Sequence, residues 1–176
     1  MLGERGTTAP LRVLEDVDAL LRGAGVEPRE LDALAVGIGP GSFTGVRMGL
    51  AVARAVALSL GIPAAGVSTL AVLAAGAPEA LPLIDAKRRE LFLEQEGEIL
   101  ALPAAAFEAR GRVCVGDGAV RYREHLERTG AIVPRDESEL HVPRARFHAA
   151  LAEEFGAADA LRPVYVRAPD ADRMLA

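Results

Sequence analysis

Apolar residues recur every three or four positions near the start of the chain, with charged residues between them. Leu14, Val17 and Leu21 would share one face of the helix that this spacing predicts. Gly23 and Gly25 are expected to end that helix, because glycine adopts the left-handed conformation common after a last helical turn. The pattern therefore predicts an amphipathic first helix with one face available for packing.

A strand, a helix, a strand and a helix follow in quick succession. The apolar run over residues 31–38 predicts a buried strand. Residues 46–60 predict a long helix, which Gly61 and Pro63 are expected to end. A second short strand is expected over residues 64–68, and Ser68 or Thr69 would cap a brief helix after it. This alternation is typical of a parallel α/β layer in which helices cross from one strand to the next.

A shift in composition at residues 76–82, "GAPEALP", predicts a boundary between an N-terminal part, 1–78, and a C-terminal α/β part, 79–176. Beyond it, alternating apolar runs turn at the charged "DAKRRE" and again at "QEGE", which predicts a meander of antiparallel strands. "RVCVGDGAVRYREHLERTG" predicts a strand, a glycine turn and a helix, and "VPRARFHAALAEEFG" predicts a further amphipathic helix.

The long helix predicted over residues 46–60 is apolar on two sides, since only Arg47, Arg54 and Ser59 interrupt it. One broad face would pack on the strands. The second face consists of Met48, Ala51, Val52, Ala55 and Leu58. We expect this second face to be covered by the first helix, by a second subunit or by both. The alternative is that the whole helix is buried within its own domain.

The charge balance limits the functions that the chain could perform alone. The net charge of −5 argues against a free-standing nucleic-acid binder, which needs a basic face to neutralise phosphates. RNA contact would then be shared with a partner.

Charged and polar residues interrupt every apolar run before it reaches the roughly 18 residues of a membrane span, and the start of the chain lacks a signal-peptide pattern. These features predict a cytoplasmic protein without a membrane segment.

The stretch "GIGPGSFTG" before the long helix could cradle an anion, because glycines expose backbone N–H groups where a helix begins. A P-loop also needs a Gly-Lys-Ser/Thr ending, and the dinucleotide fingerprint needs a different glycine spacing. We therefore interpret Gly39, Gly41, Ser42 and Gly45 as a structural turn, with Ser42 as the helix N-cap. A nucleotide-binding enzyme that uses this turn remains the alternative.

The other chemically capable residues favour structural roles. Cys114 lies in an apolar run and is predicted to be a buried core thiol. His125, His141 and His148 lack the paired spacing of metal ligands. Asp85 and Asp117 are expected to be turn residues, although Asp85, at the end of an apolar run, could also be a catalytic carboxylate. No catalytic, cofactor-binding or metal-binding residue is therefore predicted.

The segment "AVGIGPGSFTGVRMGLAVARAVALSLGIPAAGVSTLAVLA" closely resembles the signature of the TsaB (YeaZ-type) family, whose members help to make the threonylcarbamoyl modification of the tRNA adenosine beside the anticodon. "IDAKRRELF", "VGDGA" and the terminal "PVYVRAPDA" extend the resemblance over most of the chain from Leu11 onward. The resemblance implies an actin-like (RNase H-like) fold of two α/β subdomains.

The resemblance also implies a non-catalytic role. Family members support TsaD, the catalytic subunit, which binds the metal and transfers the threonylcarbamoyl group to tRNA, and a small ATPase, TsaE, joins the assembly. They pair with TsaD through helices of the N-terminal subdomain and self-associate through the same helices when alone, while tRNA is contacted only indirectly. Carried onto this sequence, the expected partner interface is Leu14, Val17, Leu21, Met48, Ala51, Val52, Ala55 and Leu58.

The first ten residues depart from the family pattern. Family members begin with a strand pair that carries an Asp-Thr-Ser motif, whereas "MLGERGTTAP" leads directly into the first predicted helix. The resemblance therefore implies an N-terminal subdomain that lacks its first strands, through a misassigned start or a differently closed sheet. Because the missing aspartate helps bind phosphate and metal in actin-like enzymes, this departure also argues against nucleotide hydrolysis. Older family labels add a metallopeptidase as a third hypothesis, which predicts a bound metal.

Overall fold

A computed structural model of the chain describes residues 9–166, a mixed α/β structure; the end of the "PVYVRAPDA" segment lies outside the described residues. The helices are α1 (Ala9–Ala24), α2 (Phe43–Leu60), α3 (Thr69–Gly76), α4 (Asp117–Arg121), α5 (Arg123–Arg128) and α6 (Ala145–Leu151). The strands are β1 (Leu34–Gly39), β2 (Ala64–Ser68), β3 (Ala80–Pro82), β4 (Ile84–Asp85), β5 (Glu90–Gln95), β6 (Glu98–Pro103) and β7 (Val113–Val115). Short 3-10 turns cover Pro28–Glu30, Ala104–Ala106, Glu139–His141 and Ala158–Ala160.

The predicted parallel layer is confirmed. β1 and β2 pair in parallel from Leu34 opposite Ala64 onward, and α2 crosses between them. β1 begins at Leu34, three residues later than expected, and its side chains are only half-buried until Gly39. The prediction of a buried strand is therefore wrong for most of β1, because within residues 9–166 only β2 pairs with it.

The ends of α2 follow the predicted capping chemistry. The Ser42 hydroxyl accepts a hydrogen bond from the Gly45 N–H at 3.4 Å, and Gly61 ends the helix at φ 67°. The helix begins at Phe43, three residues before the predicted start, because "FTG" forms its first turn. Ser68 caps α3 in the same way, with its hydroxyl accepting from the Ala71 N–H at 3.5 Å.

The second half of the chain forms the predicted meander. β4, β5 and β6 are antiparallel, and a separate parallel pair joins β3 to β7. The single helix expected after β7 is interrupted at Tyr122, which gives α4 and α5. The last predicted helix is only seven residues long, Ala145–Leu151.

Three groups of buried apolar side chains hold these elements together. One lies in the first layer and centres on Leu50 and Ala57 of α2. A second lies around Leu83, Leu91 and Cys114 in the second half. The third, here the bridging cluster, joins Leu70 and Leu73 of α3 to Ile84, Ala86 and Phe92. α3 therefore contributes to packing on both sides of the predicted boundary.

α2 is covered only in part. Leu50 and Ala57 are its buried residues, whereas the Leu58 side chain is 66% exposed. The alternative of a helix buried entirely within its own domain is therefore wrong for this chain by itself. By length and composition alone α2 could cross a membrane, but it packs on β1 and β2 through its other face, as a helix of a globular domain does.

Candidate partner surface and central cleft

The exposed side of α2 borders an apolar groove against α1. The groove has a volume of about 310 Å³. Leu14, Val17 and Leu21 of α1 line one wall and Ala55 of α2 lines the other. Leu14 is 55% exposed although it is apolar, so the groove is open to a ligand or partner. Four of the eight predicted interface residues therefore meet in one place.

A line of exposed residues runs along α2 beside this groove, and we name it the α2 stripe. It consists of Phe43, Arg47, Ala51, Ala55 and Leu58. Their spacing of three or four residues places them on one helical face. The stripe includes three predicted interface residues, Ala51, Ala55 and Leu58, while the other two on this helix, Met48 and Val52, are half-buried.

The pattern of apolar and polar positions does not predict the aromatic end of the stripe. The Phe43 and Tyr165 rings lie 5.8 Å apart, and both are nearly half exposed. The Arg47 guanidinium stacks 4.1 Å from the centre of the Phe43 ring, and its Nε donates a hydrogen bond to the Tyr165 hydroxyl at 2.8 Å. Tyr165 is 118 positions from Arg47, so helical periodicity could not find it. Exposed aromatic and arginine side chains are common at the centres of protein interfaces.

The predicted glycine turn lines a second space, a cleft of about 350 Å³. Gly41, Ser42 and Gly45 form one side of it, and Asp117 and His141 form the other. Gly39 has φ 98°, a conformation that favours glycine, and lies just before this wall. No local sequence pattern indicates that the "VGDGA" segment would face this turn.

The polar groups of the cleft are already engaged by the protein. The His141 ring accepts from the Gly116 N–H at Nδ1, 3.1 Å away, so its Nε2 carries the proton and donates to the Pro134 carbonyl at 3.1 Å. Asp117 Oδ1 accepts from the Asp85 N–H at 3.0 Å. Asp117 is thus not a simple turn residue: it begins α4 and fixes the end of β4.

Asp85 holds the turn that follows β4. Its carboxylate is 3% exposed and accepts from the Lys87 N–H at 2.9 Å and the Lys87 Nζ at 2.7 Å. Burial alone would raise the pKa of this carboxyl, but the Lys87 hydrogen bonds, with the charges of Lys87 and Arg121, bring the pKa below its ordinary value. Lys87, Arg88 and Arg89 all have φ between 53° and 64°, which costs about 1–2 kcal/mol per residue. Asp85 is the turn residue that the sequence predicted, and it keeps this strained turn in place.

Asp117 should make the stability of the protein pH-dependent. Partial burial, reinforced by the nearby Asp85 charge, raises the pKa of Asp117 above its ordinary 3.8. The folded state therefore holds this proton more tightly than the unfolded state, and stability falls as pH rises from about 3.8 through the folded pKa. We expect Asp117→Asn, whose amide oxygen can still accept from the Asp85 N–H, to gain stability over wild type across that window. Urea unfolding at pH 4 to 8 measures this difference, and the exposed Asp32→Asn controls for the lost charge.

The structure places the remaining candidates in structural settings. Cys114 is fully buried, as predicted, and burial raises the pKa of its thiol to about 11. His125 Nε2 donates to the Phe107 carbonyl at 3.1 Å, and His148 contacts the Arg144 carbonyl at 3.3 Å. Within residues 9–166, no three His, Cys, Asp or Glu side chains come together as a metal site.

Comparison with protein families finds a match over residues 11–115, to "TsaD: tRNA N6-adenosine threonylcarbamoyltransferase". The chain is 41% identical over 87 residues to the tRNA threonylcarbamoyladenosine biosynthesis protein TsaB of Escherichia coli K12, covering 46% of this chain and 38% of that protein. It is 37% identical over 86 residues to TsaB of Bacillus subtilis 168, covering 47% and 38%. The aligned segments thus span well under half the length of these curated relatives.

Solved structures resemble more of the chain. A Pseudomonas aeruginosa protein described as similar to peptidase YeaZ superposes with a TM-score of 0.69 at 30% identity, over 89% of this chain and 83% of that one. YeaZ from Pseudomonas aeruginosa superposes with a TM-score of 0.72 at 28% identity, over 92% and 86%. With the family match, these superpositions are consistent with an actin-like fold.

Proposed function

Because this chain belongs to the TsaB (YeaZ-type) family of tRNA threonylcarbamoyladenosine biosynthesis proteins, we propose that it is a non-catalytic partner of a TsaD-like subunit. In this role it supports the partner's transfer of the threonylcarbamoyl group to the tRNA adenosine beside the anticodon. We further propose that it works in the cytoplasm within an assembly that includes a TsaE-like ATPase. It would self-associate through the same surface when the partner is absent.

The observation that carries the proposal is the apolar side of α2, which the chain leaves open. The α2 stripe and the α1–α2 groove form one continuous surface, because Ala55 belongs to both. α2 has 18 residues, so it is about 27 Å long, which suits a standard protein interface. Small side chains at Ala51 and Ala55 allow a partner helix to approach closely. The aromatic and arginine side chains at one end of the stripe and Leu58 at the other would anchor it.

The proposed mechanism is conformational. A TsaD-like subunit that samples active and inactive arrangements would shift toward the active one if this chain binds that arrangement more tightly. A non-catalytic role fits the hydrogen bonds at and beside the cleft, because three polar side chains there already bond within the fold. These side chains are Asp85, Asp117 and His141. The chain's contribution would then be a rigid docking surface and no chemical step.

Reconstitution of the modification tests the proposal. We expect the chain to form a complex with a TsaD-type subunit by size-exclusion chromatography and to be required for threonylcarbamoyladenosine formation on tRNA in a mixture that also contains the TsaE-type ATPase. The chain alone should release no phosphate from ATP. A mixture that makes the modified nucleoside equally well without this chain would contradict the proposal.

The second candidate function is a nucleotide-binding enzyme of the actin-like ATPase or sugar-kinase class. The cleft of about 350 Å³ between the glycine turn and Asp117 favours it. Calorimetry with ATP and magnesium distinguishes the two functions. Saturable tight binding that disappears in Gly41→Glu, with turnover of ATP, would favour the enzyme over the partner subunit. Stoichiometric zinc or iron, measured by elemental analysis, would instead favour the metallopeptidase hypothesis.

A further inference from the structure

A cavity of about 440 Å³ lies between the Lys87–Arg89 turn and α4, away from the α1–α2 groove. Its described lining is Arg89, Ala104, Ala105, Arg121, Tyr122 and His125. None of these side chains carries a negative charge, and two carry a permanent positive charge. Ala104 and Ala105 contribute only small apolar side chains to this lining.

The two arginines differ in how strongly the protein holds them. Arg121 Nε lies 3.5 Å from the buried Asp85 carboxylate, and its side chain is still 58% exposed. Arg89 is exposed, and no carboxylate among residues 9–166 pairs with it. The Arg89 carbonyl accepts from the Ala104 N–H at 2.8 Å, which fixes its backbone at the edge of the cavity. The protein therefore holds the Arg121 guanidinium in place, whereas the Arg89 guanidinium is available to bind an anion.

His125 does not compete for a ligand in this cavity. Its Nε2 donates to the Phe107 carbonyl at 3.1 Å, and its Nδ1 accepts from Arg128 at 3.2 Å. The Tyr122 hydroxyl points to Asp85 at 3.4 Å. The donors available to a ligand at the cavity are therefore the guanidinium N–H groups of Arg89 and those of Arg121 that Asp85 and Tyr122 do not engage.

The surrounding surface strengthens the local positive charge. Lys87, Arg88 and Arg89 are consecutive, and all three are exposed. Within this turn Lys87 is paired with the Asp85 carboxylate, which is 3% exposed. In a chain of net charge −5, such a concentration of cations gives a local field that attracts anions.

From these contacts we propose that Arg89 and Arg121 form a phosphate-binding site at this cavity. Guanidinium groups match phosphate oxygens in charge and geometry, and arginine binds them in pairs of parallel hydrogen bonds. An RNA backbone and a free nucleotide both present this group. With an RNA backbone as its ligand, this site would replace the expectation that tRNA is contacted only indirectly. The site does not depend on binding of a partner subunit at α2.

Titration of the full chain with three probes tests the site: labelled bulk tRNA, ATP and inorganic pyrophosphate. For tRNA, we expect the double variant Arg89→Gln/Arg121→Gln to bind at least about 10-fold more weakly at 50 mM salt, with a salt dependence reduced by about one unit per arginine. The matched pair Arg29→Gln/Arg112→Gln removes the same charge from exposed arginines outside the cavity and should change little. Arg89→Lys/Arg121→Lys should restore most of the salt dependence.

Each outcome bears on the proposal. If Arg89→Gln/Arg121→Gln weakens tRNA binding and the control pair Arg29→Gln/Arg112→Gln does not, the ligand is an RNA backbone. If Arg89→Gln/Arg121→Gln weakens only the binding of ATP and pyrophosphate, the ligand is a free nucleotide. Equal losses in the control pair, unchanged binding in the cavity pair, or no binding of any probe by the wild-type chain would each overturn the site. Circular dichroism of every variant excludes unfolding as the cause of a loss.

Discussion

Ala55→Glu is expected to abolish association with a TsaD-type subunit while leaving this chain folded. Ala55 is exposed in the isolated chain and lies in both the α2 stripe and the α1–α2 groove. A glutamate there is tolerated by the helix, since its helix propensity is close to that of alanine. In the complex the same carboxylate would be buried against apolar side chains. The expected cost is about 3 kcal/mol or more, a loss of more than about 100-fold in affinity.

The matched control is Ala149→Glu, which adds the same charge to an exposed helical position on α6. Affinity is measured by calorimetry or by co-purification with the tagged partner, and threonylcarbamoyladenosine is quantified on tRNA. Both readouts should fall for Ala55→Glu and stay at the wild-type level for Ala149→Glu. If Ala55→Glu assembles normally, the proposed interface is wrong, whatever the pathway in which the chain acts.

Gly116→Ala is expected to destabilise the fold severely. Gly116 has φ 102° and ψ 172°, a region that is essentially restricted to glycine. A Cβ at this position would lie 2.3 Å from the Leu83 carbonyl oxygen, which belongs to the backbone and cannot move aside easily. Backbone strain and overpacking together should cost about 3–5 kcal/mol, or a fall in Tm of about 10 °C.

Gly111→Ala separates the two causes. Gly111 also has a positive φ, 71°, but a Cβ there would meet nothing within 4 Å. It should therefore lose only about 1–2 kcal/mol, from backbone strain. Urea unfolding of both variants gives the comparison. Similar losses for Gly111→Ala and Gly116→Ala would mean that the close approach of Gly116 to Leu83 does not limit stability.

Local chemistry made much of the fold predictable. The spacing of apolar residues is enough to indicate α1, α2 and the β4–β6 meander, and Ser42, Ser68 and Gly61 mark helix ends through their own capping interactions. These features depend on neighbours within a few residues. The same reasoning identified Cys114 as a core thiol, because an apolar run on both sides of a small side chain leaves it little access to water.

Contacts between distant parts of the chain were beyond such reasoning. The hydrogen bond from the Asp85 N–H to Asp117 joins residues 32 positions apart, and the Arg47 contact to Tyr165 joins residues 118 apart. Nothing in the local pattern of either segment indicates its partner. The resemblance to a family supplied the order of elements but not these contacts, so the cleft and the aromatic end of the α2 stripe required coordinates.

The bridging cluster limits how the molecule can be divided. A cut at the predicted boundary near residue 78 would separate Leu70 and Leu73, both nearly inaccessible to solvent, from Ile84 and Phe92. Each fragment would then expose to solvent the apolar side chains through which α3 packs against β4 and β5 in the intact chain. The two halves are therefore poor modules for recombination: an exchange of one half between relatives has to carry a compatible α3 surface with it.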